Sequence, residues 1–145
     1  MFAKSFSMFL IKRAFLLCVF LISFYFSFSQ NSVSLEVDIK GLKNNTGRIM
    51  LQLFDENNKI ISQKMGMITS RSSKIIICNL KPGKYAIRYY HDENLDGHLD
   101  SNFIGMPTEG YGYSNNAKGK YGEPPFKDQI FRLTADTKLV LEPYY

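Results

Sequence analysis

Val33-Ser34-Leu35-Glu36-Val37-Asp38-Ile39-Lys40 is the stretch that decides the fold. Apolar side chains at Val33, Leu35, Val37 and Ile39 alternate with polar ones, and a period of two belongs to a strand with one face in a core and one in water. Beyond Gly41 and the turn residues Asn44-Asn45-Thr46-Gly47, the segment Arg48 to Phe54 repeats the pattern through Ile49, Leu51 and Leu53. The two runs therefore read as a hairpin. Asp55-Glu56-Asn57-Asn58 turns the chain into a weaker strand, Lys59 to Met65, and Lys74 to Leu80 is a β-branched run in which Cys78 reads as a small core residue. Pro82-Gly83 is a turn signal, after which Tyr85, Ile87 and Tyr89 alternate with Ala86, Arg88 and Tyr90. Gln129 to Leu133 and Leu139 to Leu141 supply closing strands. No window shows sustained apolar residues at helical spacing, so the expectation is an all-β sandwich of about seven strands.

The chain has 145 residues, enough for one domain. Its first 29 residues carry Lys4, Lys12 and Arg13, no acid, and an apolar run from Ala14 to Phe28 broken only by Ser23 and Ser27. That is a signal-peptide layout, too short to span a bilayer comfortably, with small residues at Ser27 and Ser29 for cleavage before Gln30. The expected organisation is a leader over residues 1–29 and a sandwich over 30–145, with a long loop insertion at 92–127. Without the leader, 15 basic side chains face 13 acidic ones, and no basic cluster suggests nucleic acid as a partner. Cys18 would leave with the leader, so Cys78 has no disulfide partner and the exported domain must be held by packing or a bound ion.

After Tyr90 the chain reads His91-Asp92-Glu93-Asn94-Leu95-Asp96-Gly97-His98-Leu99-Asp100. Oxygen-bearing side chains at Asp92, Asn94, Asp96 and Asp100 sit at spacings from which a turning loop brings them to one point, and Gly97 permits the bend. A hard cation such as calcium, bound structurally, is the reading of this pattern. His98 would contribute its backbone carbonyl, Leu99 would anchor the loop in the core, and Glu109 is a candidate for a further oxygen. The rival readings are an Asp- and Asn-rich turn without an ion, and a transition metal held by His91 and His98.

The first half of this loop resembles EF-hand-type and dockerin-type loops, and more closely those inserted in collagen-adhesin B-type sandwiches. It departs from the EF-hand where Phe103 stands in place of the closing glutamate. The corner Leu80-Lys81-Pro82-Gly83 before Tyr85 is similar to corners in prealbumin-like and adhesin B-type sandwiches.

From the loop to Lys127 the chain is rich in glycine and aromatic residues and shows no clear strand. Tyr111 and Tyr113, with Ser114, Asn115, Asn116 and Glu109, form a candidate binding surface on which tyrosine faces stack against a sugar ring or peptide. The alternative is a flap whose aromatic side chains pack on the sandwich. His91-Asp92-Glu93-Asn94, Gly105-x-Pro107-x-Glu109-Gly110-x-Gly112-x-Ser114-Asn115-Asn116 and Pro124-Pro125-Phe126 together resemble a family of exported bacterial proteins, frequent in Bacteroidota, catalogued as domain of unknown function 2141. The resemblance implies an exported single-domain β-sandwich over about Val33 to Tyr145, and it implies no activity.

No nucleophile elbow surrounds Ser114, because Gly112-Tyr113-Ser114-Asn115-Asn116 lacks its second glycine. The expected function is therefore a structural or binding module of the cell envelope, not an enzyme. It would be a monomer, periplasmic, outer-membrane-associated or extracellular, with an envelope glycan or protein as partner. A metal-assisted hydrolase using Asp92 and Asp96 is the enzymatic alternative.

Overall fold

The computed structural model describes residues 32–145, and the expected leader lies outside the described residues. Strand β1 (Val33–Lys40) buries Leu35, Val37 and Ile39 as its alternation requires. It is the centre of a three-stranded sheet, antiparallel to β4 (Ser72–Leu80) and parallel to β8 (Thr137–Leu141). The second sheet runs β3 (Ile60–Gly66), β2 (Arg48–Asp55), β5 (Gly83–Asp92), β6 (Tyr111–Tyr113), and β7 (Phe131–Leu133) also pairs with β5. Leu35, Val37, Ile39, Ile75, Ile77 and Leu141 from the first sheet meet Ile49, Leu51, Leu53, Ile87, Tyr89 and Leu133 from the second in one core. The result is a sandwich-like all-β unit.

Four expectations need correction. β1 and β2 are not a hairpin: they lie in different sheets, because each needs its apolar face on the shared core from opposite sides. Cys78 is exposed, since Ile75 and Ile77 take the inward positions and the period of two turns Ile76 and Cys78 outward. Leu99 lies at the surface and anchors nothing in the core. The long insertion holds strand β6, a single 3-10 turn at Ser114–Asn116 and a short helix α1 (Phe126–Gln129), so the described strands number eight.

Strand β5 positions everything that follows. One of its edges pairs along its length with β2, while the other takes β7 at Gly83–Tyr85 and β6 at Arg88–Tyr90. The Leu80-Lys81-Pro82-Gly83 corner is closed by the Tyr85 hydroxyl, which donates to the Lys81 carbonyl at 2.6 Å. On the outer face of the smaller sheet, Glu36 pairs with Lys74 at 3.2 Å and Lys138 at 2.9 Å, and Asp38 with Lys138 at 3.3 Å. Hydrogen bonds from Lys138 and Lys74 hold the Glu36 carboxyl below its usual range, and the same pairing raises the Lys138 ammonium.

Candidate functional site

The acidic loop begins where β5 ends. Asp92 faces Arg48 across the β2–β5 ladder, and its carboxylate is 0% exposed. Asp92 Oδ2 accepts from Arg48 Nε at 2.8 Å and from the Gly97 amide at 3.2 Å, so one carboxylate draws the loop back onto its own root. Gly97 adopts φ +83°, a conformation that glycine takes without a side-chain clash. The second oxygen, Asp92 Oδ1, is buried with no hydrogen-bond partner. Tyr90 donates its hydroxyl to the Gly97 carbonyl at 2.5 Å, and burial followed by the Asp92 charge pushes that hydroxyl's pKa up.

At the loop's turn, Asn94 Oδ1 accepts the Asp96 amide at 3.0 Å and Asp96 Oδ1 accepts the His98 amide at 2.8 Å. These are local Asx bonds of the kind that favour Asn and Asp in turns. The Asn94 amide nitrogen donates to Asp96 Oδ2 at 3.2 Å and to Asp100 Oδ2 at 2.8 Å. Two carboxylates thus converge on one neutral donor. Glu109, nearly buried, spans both limbs from the far side, its Oε1 accepting from the Glu93 amide at 2.7 Å and its Oε2 from the Asp100 amide at 3.2 Å.

Asn94, Asp96 and Asp100 are therefore gathered at the loop surface, while Asp92 sits beneath them against Arg48 and Glu109 serves the backbone. His98 is exposed. His91 is buried, with Nε2 donating to the Thr46 carbonyl at 2.7 Å and Nδ1 2.8 Å from the Tyr145 hydroxyl, so both ring nitrogens are engaged. That removes the basis for a transition-metal pair with His98. Among the described residues, no three His, Cys, Asp or Glu side chains stand together in an arrangement that would hold a metal ion as they are.

The tyrosine segment is stitched to the sandwich. Gly110 and Gly112 are glycine because rings lie flat on their backbone: a Cβ would fall 2.5 Å from the Tyr145 ring at Gly110 and 2.4 Å from the Tyr89 hydroxyl at Gly112. Ser114 is wholly buried, accepting the Ile87 amide at 2.9 Å and donating to the Gln129 carbonyl. Asn115 and Asn116 turn the chain with φ of 60° and 49°, a region that asparagine tolerates better than most residues. Asn115 Nδ2 donates to the Asp128 and Ile130 carbonyls, each at 3.0 Å, and Asn116 Oδ1 accepts the Glu142 amide at 3.0 Å. Of the candidate binding residues, Glu109, Ser114, Asn115 and Asn116 each spend side-chain atoms on internal bonds, the two asparagines at the surface, while Tyr111 and Tyr113 are half-buried. Their rings line an open cleft of about 220 Å³ together with Tyr144, Lys118 and the backbone of Gly119 and Gly122.

Three features had little sequence signal. Arg48 appears as an ordinary strand-edge residue, and only the ladder register reveals it as the counter-ion of Asp92. Arg88 stacks over Phe54 and Phe126, at 4.5 Å and 5.6 Å from the ring centroids, and bonds Glu123 at 2.8 Å. Gln129, fully buried, accepts from Arg88 and donates to Glu123 and the Pro124 carbonyl.

A model of one protein family matches residues 37–140, from the middle of β1 to the end of β8. The chain belongs to that family. It is described as an uncharacterized protein conserved in bacteria (DUF2141). The match takes in both sheets, the acidic loop and the tyrosine segment of this DUF2141 chain. No curated protein and no solved structure matches it.

Proposed function

We propose that this DUF2141 chain is an exported, non-catalytic envelope module, monomeric and immunoglobulin-like or prealbumin-like in its sandwich, whose acidic loop is closed by a calcium ion. One observation carries the reading: Asp92 keeps a buried carboxylate oxygen without a partner at the root of a loop where two further carboxylates converge. An unsatisfied buried oxygen of this kind costs about 1–3 kcal/mol, more when charged, and a cation is the group that relieves it best. Asp92, Asn94, Asp96, Asp100 and the His98 carbonyl would hold the ion, which would supply the positive charge that the converging carboxylates lack. Export rests on the layout of residues 1–29. The Ser114 hydroxyl is spent on the backbone, which takes away the nucleophile that the tyrosine segment offered and supports a binding or structural role over catalysis. Thermal melts with calcium, magnesium and chelator test the reading.

A second reading is favoured by the tyrosine cleft. Tyr111, Tyr113 and Tyr144 with Lys118 offer aromatic faces and a cation beside glycine backbone, a combination suited to a sugar ring or an extended peptide of the envelope. Retention on a glycan array, lost on changing Tyr113 to Ala without loss of stability, tests it.

A further inference from the structure

The connection between the acidic loop and β6 projects a small, rigid, apolar tip. Phe103 is 100% exposed, Ile104 64% and Met106 60%, and no charged residue occurs from Ser101 to Thr108. The tip is not loose chain. Asn102 holds it from within: its amide donates to the Met106 carbonyl at 2.8 Å, its carbonyl accepts the Gly105 amide at 2.9 Å, and its Oδ1 accepts the Ile104 amide at 3.1 Å and the Met106 amide at 3.0 Å. An isolated bridge between Ser101 and Pro107 and the Thr108 to Asp100 bond at 2.9 Å close its base. Ordered apolar side chains presented together to water mark a surface meant to be covered.

What covers it follows from two properties of the tip. Its apolar side chains stand clear of the rest of the fold, and its backbone donors at Asn102, Ile104, Gly105 and Met106 are satisfied internally, which leaves that of Phe103 for the hydrated headgroup zone. Hydrocarbon offers no hydrogen bonds, so a segment entering it must bring its own, whereas a protein pocket has no such requirement. Charge then selects the surface. From Tyr89 to Ala117 the chain carries no lysine or arginine, and of its acids Asp92 and Glu109 are buried while Glu93, Asp96 and Asp100 reach the surface, a local negative charge that disfavours an anionic surface and suits the outward ammonium groups of a zwitterionic one. We infer that the Phe103-Ile104-Gly105-Met106 tip inserts into the interfacial region of a zwitterionic phospholipid bilayer, docking the sandwich peripherally on a membrane. A tip of four residues reaches no further than the interface, so the contact is of the kind that lies on a bilayer.

The chain contains no tryptophan, so Phe103→Trp introduces a single reporter at a position that packs against nothing. Tyr121→Trp, at a residue 92% exposed on a different loop, is the control. Both are made in the full chain, where any effect of residues 1–29 is common to the pair, and both are measured in chelator, which separates the outcome from the calcium reading. With phosphatidylcholine vesicles the Phe103→Trp emission is expected to shift to the blue and to be quenched by brominated acyl chains, while Tyr121→Trp does neither. Adding Ile104→Ser and Met106→Ser should weaken the apparent vesicle affinity read by that reporter at least tenfold. Unchanged Phe103→Trp emission, an equal response from Tyr121→Trp, a stronger response to phosphatidylglycerol, or a blue shift produced by soluble envelope protein without lipid would each overturn the inference.

Discussion

Arg48 reaches Asp92 with its Nε 2.8 Å from Oδ2, joining the first residue of β2 to the last of β5 beneath a carboxylate that water does not reach. The pair sits at the one place where the larger sheet hands the chain to the acidic loop. Removing the guanidinium leaves a buried charge with only the Gly97 amide to support it. Because Arg48 is itself 31% exposed, some of the charge would be screened, and Arg48→Met is expected to cost about 2–3 kcal/mol in urea denaturation, below the range for a fully buried pair. An Arg48→Met variant as stable as the parent would mean that the pair does not fasten the acidic loop to the sheet.

A second prediction concerns Tyr89, whose hydroxyl is buried against Gly112 and has no hydrogen-bond partner. Burial raises its pKa far above the ordinary range, so it stays neutral and merely unsatisfied at any working pH. Tyr89→Phe removes that hydroxyl and should leave stability unchanged or improve it by up to about 1 kcal/mol. Gly112→Ala drives a methyl into the same ring and should destabilise by about 1–3 kcal/mol. Combining the two should recover part of the loss, a non-additivity that denaturant titration of the three variants reads directly.

The strands were legible because alternation is a local property: Leu35, Val37 and Ile39 need only a core to face. Which core partner they face is not local, and the turn at Asn44 to Gly47 looks the same whether it joins neighbours in one sheet or passes between two. The acidic loop was legible as a loop with converging oxygens. That Asp92 is separated from Asp96 and Asp100 and given to Arg48 depends on ladder register, which composition does not encode. Likewise Ser114-Asn115-Asn116 has the chemistry of a binding loop, and only the approach of β5, α1 and the C-terminal residues consumes its hydrogen bonds internally.

The outer-face ladder supplies a prediction in pH. Glu36 is held below its usual pKa by Lys138 and Lys74, so its contribution to stability is present above the unfolded-state pKa and is lost as pH falls through the lower, folded one. Carbon-detected NMR titration should place Glu36 below an ordinary glutamate, and Lys138→Met should move it upward. A Glu36 titration unaffected by Lys138→Met would show that the contact at 2.9 Å is not populated in solution.

For the tyrosine segment, the packing and binding roles separate by experiment. Tyr111 pairs with Tyr144 through reciprocal backbone bonds at 2.9 Å and 2.7 Å, and its ring meets those of Tyr113 and Tyr144 edge to face. Tyr111→Ala should cost about 1–3 kcal/mol through lost burial and lost aromatic contact. Tyr113→Ala should cost less, because among the described residues its ring meets one aromatic ring, that of Tyr111. Equal stability of both variants with loss of glycan retention would assign the segment to binding.

The ion is the prediction on which the function turns. Asp96 and Asp100 accept from the same Asn94 amide and Asp92 keeps an unpartnered oxygen at the loop's root, so a calcium ion that drew these groups together would relieve both the mutual repulsion and the unpartnered oxygen. An ion that binds only the folded loop stabilises by mass action. At a dissociation constant of about 0.1 mM, typical of the tighter extracellular modules, about 10 mM calcium adds roughly 2.7 kcal/mol and raises the melting temperature by roughly 10 °C. Asp96→Asn keeps the Asx geometry while removing a charge, so its own calcium-induced shift should shrink. Asp92→Ala destabilises the ion-free protein through the loss of the Arg48 pair, and it should also lose most of the shift; the comparison is therefore made within each variant, with and without the ion. Magnesium, which demands a tighter octahedron, should stabilise far less than calcium. A melting temperature indifferent to calcium in the parent would leave the loop as an Asx-bonded turn fastened by Arg48 and Glu109, and the tyrosine cleft would then be the better-supported site.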